Sequence, residues 1–384
     1  MRIERQRELL DRLVGVNTNL PWNYAPVSMR NPASAYADPA RFAREKKVLF
    51  RDRPQFVGLS CQCATPGSFM TADLGGVPIA VVRQTDGSLR AFVNACRHRG
   101  ATLLTGEGAS AGNGGRIVCP YHGWTYEADG RLAVRPAAAD GFDDLGAGCN
   151  LHARVAAEKH GMIFVSPTGS DPIDVDAVLC GSQDELADYD LASYVHVETR
   201  TNTWKMNWKL VLDTFTESYH IRFLHKETIA PLFLCDLIVD HFGPHPRTIG
   251  LRKSVMDQIR DKPRSEWELL PHSTTQYFVV PNGIVVYQLD HVEMWRVTPI
   301  DAGTTRIATS IFAPQAPATE KALRYWTRNL DILLKVTETE DFPQMERIQK
   351  NLESGALPEI VYGRIEPGLV HLHASINAAL DAAP

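Results

Sequence analysis

Two short segments decide how this chain is read: NACRHRG (Asn94–Gly100) and CPYHGW (Cys119–Trp124). The first contains Cys96-x-His98, and after twenty intervening residues comes Cys119-x2-His122. Each segment offers one thiolate and one imidazole, and each is flanked by turn-forming residues. Two thiolates can hold one iron of a sulfide-bridged pair while two imidazoles hold the other. A Cys2His2 zinc site is the sharper alternative, but it usually pairs like ligands, C-x2–4-C followed by H-x3–5-H. Here the order is Cys-His then Cys-His, which argues against zinc.

The pattern therefore reads as the mixed ligation of a Rieske [2Fe–2S] cluster, in which two histidines on one iron raise the reduction potential. Gly100, Pro120 and Gly123 allow tight turns that bring both members of a pair inward. Arg97 and Arg99 are candidates to offset thiolate charge or to dock an acidic electron donor, with a solvated pair as the plainer reading. Trp124 is either a lid over the cluster or a core residue.

The surroundings of these segments are β-prone. Ile79–Val82, Leu89–Val93, Arg116–Val118 and Met162–Val165 read as short strands, with Asp86–Gly87 and Asp129–Gly130 as hairpin turns. This predicts an all-β module over residues 48–166. Before it, Glu4–Leu13 and Pro39–Lys47 read as short helices joined by an extended arm. After it, residues 167–187 are a Pro/Gly/Asp-rich crossing into residues 167–384. There, Tyr194–Trp204, Thr274–Phe278, Gly283–Leu289, His291–Thr298 and Thr304–Phe312 read as strands of an antiparallel meander. Asn207–His220 reads as a helix, Thr319–Leu352 as a long helix interrupted at Pro343, and the final ALDAAP as a loose tail. Helices stacked on one face of such a sheet make an α+β domain.

A second constellation lies in NWKLVLDTFTESYHIRFLH (Asn207–His225). On a continuous helix Asp213, Glu217 and His220 would share one face. His225, five residues beyond His220, can meet the same ion only if the helix loosens or ends between them. Two imidazoles and one carboxylate make the facial triad of non-haem Fe(II) oxygenases, which leaves coordination positions open. Glu338, Glu340 and Asp341 are all candidates for the carboxylate, and composition does not choose among them. Phe215, Phe223, Leu224, Phe278, Tyr287 and Trp295 are candidate pocket residues. Arg222 and Lys226 flank His225 as possible carboxylate anchors, and the substrate leaning is toward an aromatic or other small organic acid.

The chain has 384 residues, a formal net charge of -5, 44% hydrophobic and 22% charged residues. That length favours two domains, and the charge gives no basic surface for nucleic acid. No apolar run reaches membrane-spanning length, and the charged start MRIERQRELL lacks a signal-peptide core, so a cytoplasmic enzyme is expected. Seven cysteines, an odd number, argue against a full disulfide framework; Cys61 and Cys63 in SCQCATPG read as plain thiols.

Together, NACRHRG, CPYHGWTY, NWKLVLDTFTESYH with its following histidine, and the later ED…ERIQ segment make the chain resemble the large (α) subunit of the Rieske non-haem iron ring-hydroxylating oxygenases. The resemblance runs over nearly the whole chain. It implies a Rieske domain followed by a helix-grip (START/Bet v 1-like) catalytic domain, with residues 1–47 packing on the latter. It places cluster ligands at Cys96, His98, Cys119 and His122, iron histidines at His220 and His225, and favours Asp341 as third ligand by its distance before Gln349. It matches Asn207 to an asparagine beside the iron. It also matches Glu217 to a carboxylate linking the iron ligand to a neighbouring subunit's cluster histidine. Glutamate there departs from the aspartate usual in the dioxygenase branch and resembles the branch acting on quaternary amines.

The implied cofactors are one [2Fe–2S] cluster and one Fe(II) per subunit, with NAD(P)H electrons arriving through a reductase and in some cases a ferredoxin. The implied assembly is a head-to-tail homotrimer, sometimes with a small β subunit. The implied reaction uses O2 to hydroxylate, dihydroxylate or demethylate a small organic substrate. The alternative of another class is a Rieske electron carrier whose second domain only binds or assembles. Such a carrier would have no use for His220 and His225 with a convergent acid.

Overall fold

The computed structural model describes residues 1–17, 21–106, 115–137, 141–145 and 148–383, apart from the side chains of residues 143 and 235. They separate into two compact units: residues 49–178 with 191–193, and residues 1–48 with 179–190 and 194–384.

The smaller unit is built from short antiparallel strands. One sheet runs Phe69–Leu74, Val77–Arg83, Leu89–Val93, Ala153–Arg154. A second joins Ala156–Lys159, Met162–Val165 and Gln55–Leu59, and a third Ile117–Val118, Thr125–Tyr126 and Leu132–Val134. Both expected hairpin turns are present. Gly87 and Gly130 have φ of +83° and +87°, where a side chain is strained. At Gly130 a Cβ would also fall 2.4 Å from the Phe92 ring. Around the third sheet Phe92, Leu104, Ile117, Trp124 and Tyr126 form a core that also contains Cys96 and Cys119. Burial pushes the Cys61 thiol up to about 12, which leaves it protonated and inert at neutral pH.

The larger unit holds, among the described residues, a seven-stranded antiparallel sheet. Its order is Val195–Trp204, Thr304–Ala313, His291–Asp301, Gly283–Gln288, Ser273–Val279, His245–Arg252, Phe233–Phe242. The last two strands form a hairpin that the sequence reading passed over, because Pro246 and a polar HPRT run mask the alternation. Helices Trp208–Thr216, Glu320–Val336 and Pro367–Asp381 contact the sheet. This is the α+β arrangement expected.

Three local expectations are corrected. The first helix of the motif stops at Thr216, and Glu217 is extended (φ -137°, ψ 165°), so Asp213, Glu217 and His220 share no helical face. The long C-terminal helix breaks over Thr337–Asp341, a π-helical turn, rather than at Pro343 itself. Pro343 lacks the N–H that an unbroken helix would offer to the Thr339 carbonyl, so the ladder changes register ahead of it. The ALDAAP end is helical as far as Asp381, held by buried Leu380, whose carbonyl accepts from Arg44 Nη2 at 2.7 Å. No helix among the described residues is long and apolar enough to cross a membrane.

Candidate functional site

In the smaller unit the two motif segments form matching loops. The Cys96 amide donates to Ala101 O at 2.8 Å, and the Gly100 amide returns to Cys96 O at 2.9 Å. Likewise the Cys119 amide donates to Trp124 O at 2.8 Å and the Gly123 amide to Cys119 O at 3.1 Å. Both glycines have positive φ, +75° and +69°, which lets each loop fold its Cys and His to one side. The His98 and His122 rings lie 4.6 Å apart. Cys96 and Cys119 are buried free thiols, and Tyr126 Oη lies 3.3 Å from Cys96 Sγ. His98 Nδ1 is buried without a hydrogen-bond partner.

Two buried thiols, two adjacent imidazoles and one orphaned ring nitrogen fit a [2Fe–2S] cluster. Trp124 stacks on His98 at 5.1 Å and is buried in the core, so it combines both readings given for it. Arg99 is exposed over the Tyr121 ring, and Arg97 meets the His152 ring.

In the larger unit, His220, His225 and Asp341 converge, each offering an atom within 4.8 Å of the others. His225 Nε2 is 2.9 Å and His220 Nε2 3.5 Å from Asp341 Oδ1. That oxygen is buried with no properly aligned hydrogen bond. Two imidazole nitrogens and one carboxylate oxygen converging on one point, His225 and Asp341 in ion-pair range, make the donor set of a facial triad. The break after Thr216 carries His220 and His225 onto a separate turn, Ile221–Leu224 and its flanks. The π-helical turn presents Asp341 opposite them.

The outer nitrogens of both rings are held by carboxylates. His220 Nδ1 meets Glu217 Oε1, and Glu217 Oε2 also accepts from the His220 amide at 3.2 Å. His225 Nδ1 donates to Glu340 Oε2 at 2.6 Å, which accepts from Thr228 Oγ1 at 2.9 Å. Such outer partners fix the tautomer so that Nε2 faces inward. Burial pulls both imidazole pKa values down, but the adjacent carboxylates outweigh it and the net shift is upward. Glu338 instead bonds Asn202 at the surface. The three acids left open by composition thus hold three different positions.

Asn207, expected beside the iron, is not among the residues that line the cavity. It caps the helix through Lys209 N at 3.0 Å, and its Nδ2 donates to Tyr36 O and Ala302 O. Its amide donates to Gln349 Oε1 at 3.0 Å, which ties the helix carrying Asp341 to the segment leading to His220. Asp213 also faces away, to Tyr36 Oη at 2.5 Å and His373 Nε2 at 2.8 Å. His373, Tyr36 and Tyr362 are buried partners the sequence reading missed, since lone residues far apart in the chain carry no local pattern.

The triad opens on a cavity of about 380 Å³. Phe215 and Trp295 line it, their rings 5.0 Å apart. Phe278 belongs to the core, Phe223 is exposed, and Tyr287 packs on Tyr189. Arg222 and Lys226 are absent from the lining, whereas Arg252, Gln276, His291 and Glu293 belong to it.

Residues 191–382 match the family described as "Ring hydroxylating alpha subunit (catalytic domain)" and residues 53–155 the "Rieske [2Fe-2S] domain". The glycine betaine monooxygenase oxygenase subunit of Chromohalobacter salexigens is 37% identical over 207 residues, 53% of this chain and 45% of that protein. The chain spans about half the length of the first curated relatives it matches. Chloroplastic choline monooxygenase of Beta vulgaris is 26% identical over 91% of this chain and 77% of its own. Among solved structures, a quaternary ammonium Rieske monooxygenase in complex with L-carnitine superposes with a TM-score of 0.76 at 21% identity, over 94% of this chain and 96% of that one. At that identity the likeness speaks for the fold.

Proposed function

Since the chain belongs to the ring-hydroxylating oxygenase α-subunit family, with a Rieske [2Fe–2S] domain ahead of a mononuclear-iron catalytic domain, we propose that it is the terminal oxygenase component acting on a small organic substrate. The observation that carries this is the meeting of His220, His225 and Asp341 at the wall of a cavity large enough for such a substrate. Cys96, His98, Cys119 and His122 would hold the cluster, and the triad would hold Fe(II). Bound there, the two centres supply one-electron transfer and the activation of dioxygen.

The chain's own residues set the conditions for that chemistry. Glu217 and Glu340 orient the two imidazoles. Phe215 and Trp295 give the cavity an apolar wall beside the triad. Glu217 is also the group to couple His220 to a cluster histidine of a neighbouring copy, in a head-to-tail trimer served by a separate reductase. The relatives named for glycine betaine and choline favour a nitrogen-bearing substrate over the aromatic one leaned toward from sequence. Glu293, buried 3.2 Å from His291, is part of the cavity wall.

The test is product formation with purified, metal-replete protein, a compatible reductase and NAD(P)H. Quaternary amines, aromatic acids and unsubstituted aromatics are compared by oxygen uptake and product mass together. A protein holding about two irons per chain, with none outside the cluster, would instead be an electron carrier.

A further inference from the structure

Arg252 ends the strand His245–Arg252 and lines the catalytic cavity. Its Nε is buried with no hydrogen-bond partner. Burial alone acts on its pKa, pulling it down; no acid among the described residues offsets it. Phe233 packs beneath the guanidinium at 5.2 Å. Gly250, on the same strand face, has no side chain, and Thr274, in register with Gly250, is bonded to Gln288. The cavity acids are engaged elsewhere: Glu217 with His220, Asp341 at the triad, Glu293 with His291, and Asp290 with His291 and Tyr325.

The other internal arginine of the strand makes the contrast. Arg247, five positions away and on the opposite face, is fully buried; its Nε is likewise without a partner, but its Nη1 donates to both Glu185 oxygens at 2.7 and 2.6 Å. Partly buried charge is retained where something neutralises it. No acid among the described residues pairs with the Arg252 guanidinium.

We propose that Arg252 is the anchor for a carboxylate on the substrate, so that this oxygenase takes a small organic acid, zwitterionic amino acids and betaines included. The planar guanidinium fork matches a carboxylate in two parallel hydrogen bonds. A phosphate dianion would call for further cations, and Arg252 is the one cavity-lining Lys or Arg among the described residues. The inference rests on the oxygenase reading of the cavity and narrows its substrate class.

The experiment is calorimetric binding to the full, metal-replete chain of two matched pairs: glycine betaine against choline, and benzoate against benzyl alcohol. At least one acid should bind about tenfold or more tighter than its alcohol, the range of a charge-assisted hydrogen bond. Arg252→Gln should bring that ratio near unity by weakening the acid alone, and Arg252→Lys should keep part of it. A wild-type protein that binds neither acid, or binds alcohols as tightly, overturns the proposal even if the Gln variant fails to fold. So does a folded Arg252→Gln protein that keeps the preference. Iron content and oxygen uptake in the same preparations separate the two readings. Acid preference with no iron outside the cluster sinks the oxygenase reading and spares the anchor. Turnover of the alcohols, indifferent to Arg252, sinks the anchor and spares the oxygenase.

Discussion

His225 Nδ1 lies 2.6 Å from Glu340 Oε2, so the residue just before the triad acid grips the far side of the imidazole that the acid faces. Consecutive residues of one π-helical turn thus supply a candidate ligand and the support of another. Glu340→Gln should weaken Fe(II) binding by about 10–100-fold, the usual effect of losing an outer partner. Titrating iron-depleted protein with Fe(II) measures it, and the visible spectrum of the cluster should stay unchanged.

His225→Ala removes a proposed ligand outright. Iron should fall from about three to about two per chain, with product formation lost and the cluster spectrum retained. Product formed by properly metallated variant protein would show the triad assignment to be wrong.

Glu217 holds His220 Nδ1 and is proposed to link the two centres. Glu217→Gln should lower product formation by about 10–100-fold, while a chemically pre-reduced cluster stays reduced in the presence of substrate and oxygen. Normal reoxidation with normal turnover would leave Glu217 only an orienting role.

Glu185 tests the scaffold. Burial would raise its pKa, but Arg247, Arg5 and Tyr277 reverse that and lower it below 4.5. A folded pKa below the unfolded one means stability fully present above about pH 4.5 and lost as pH falls through the folded value. Glu185→Gln should destabilise by about 3 kcal/mol, because Arg247 keeps only Asp240, and should flatten the acid limb. Denaturant unfolding across that pH range reads both.

The short runs Leu89–Val93 and Met162–Val165 coincide with strands because β-branched and apolar residues cluster there between turn residues. The hairpin of Phe233–Phe242 and His245–Arg252 escaped notice because Pro246 and the polar HPRT run break the alternation, although nearly all of His245–Arg252 is buried. Its omission also hid Arg252, while Arg222 and Lys226 drew attention through mere proximity to His225.

By itself the sequence determined the chemistry carried by closely spaced donors. Cys96-x-His98, Cys119-x2-His122 and His220 with His225 are local patterns, and a few bonds of backbone fix how near such side chains can come. Which of Glu338, Glu340 and Asp341 faces the histidines was left to the tertiary structure, since more than 100 residues of chain separate the partners and a register change at Thr337–Asp341 sets the direction of each side chain. The same held for Asn207, whose hydrogen bonds are spent on Tyr36, Ala302 and Gln349, contacts that exist only once distant segments pack.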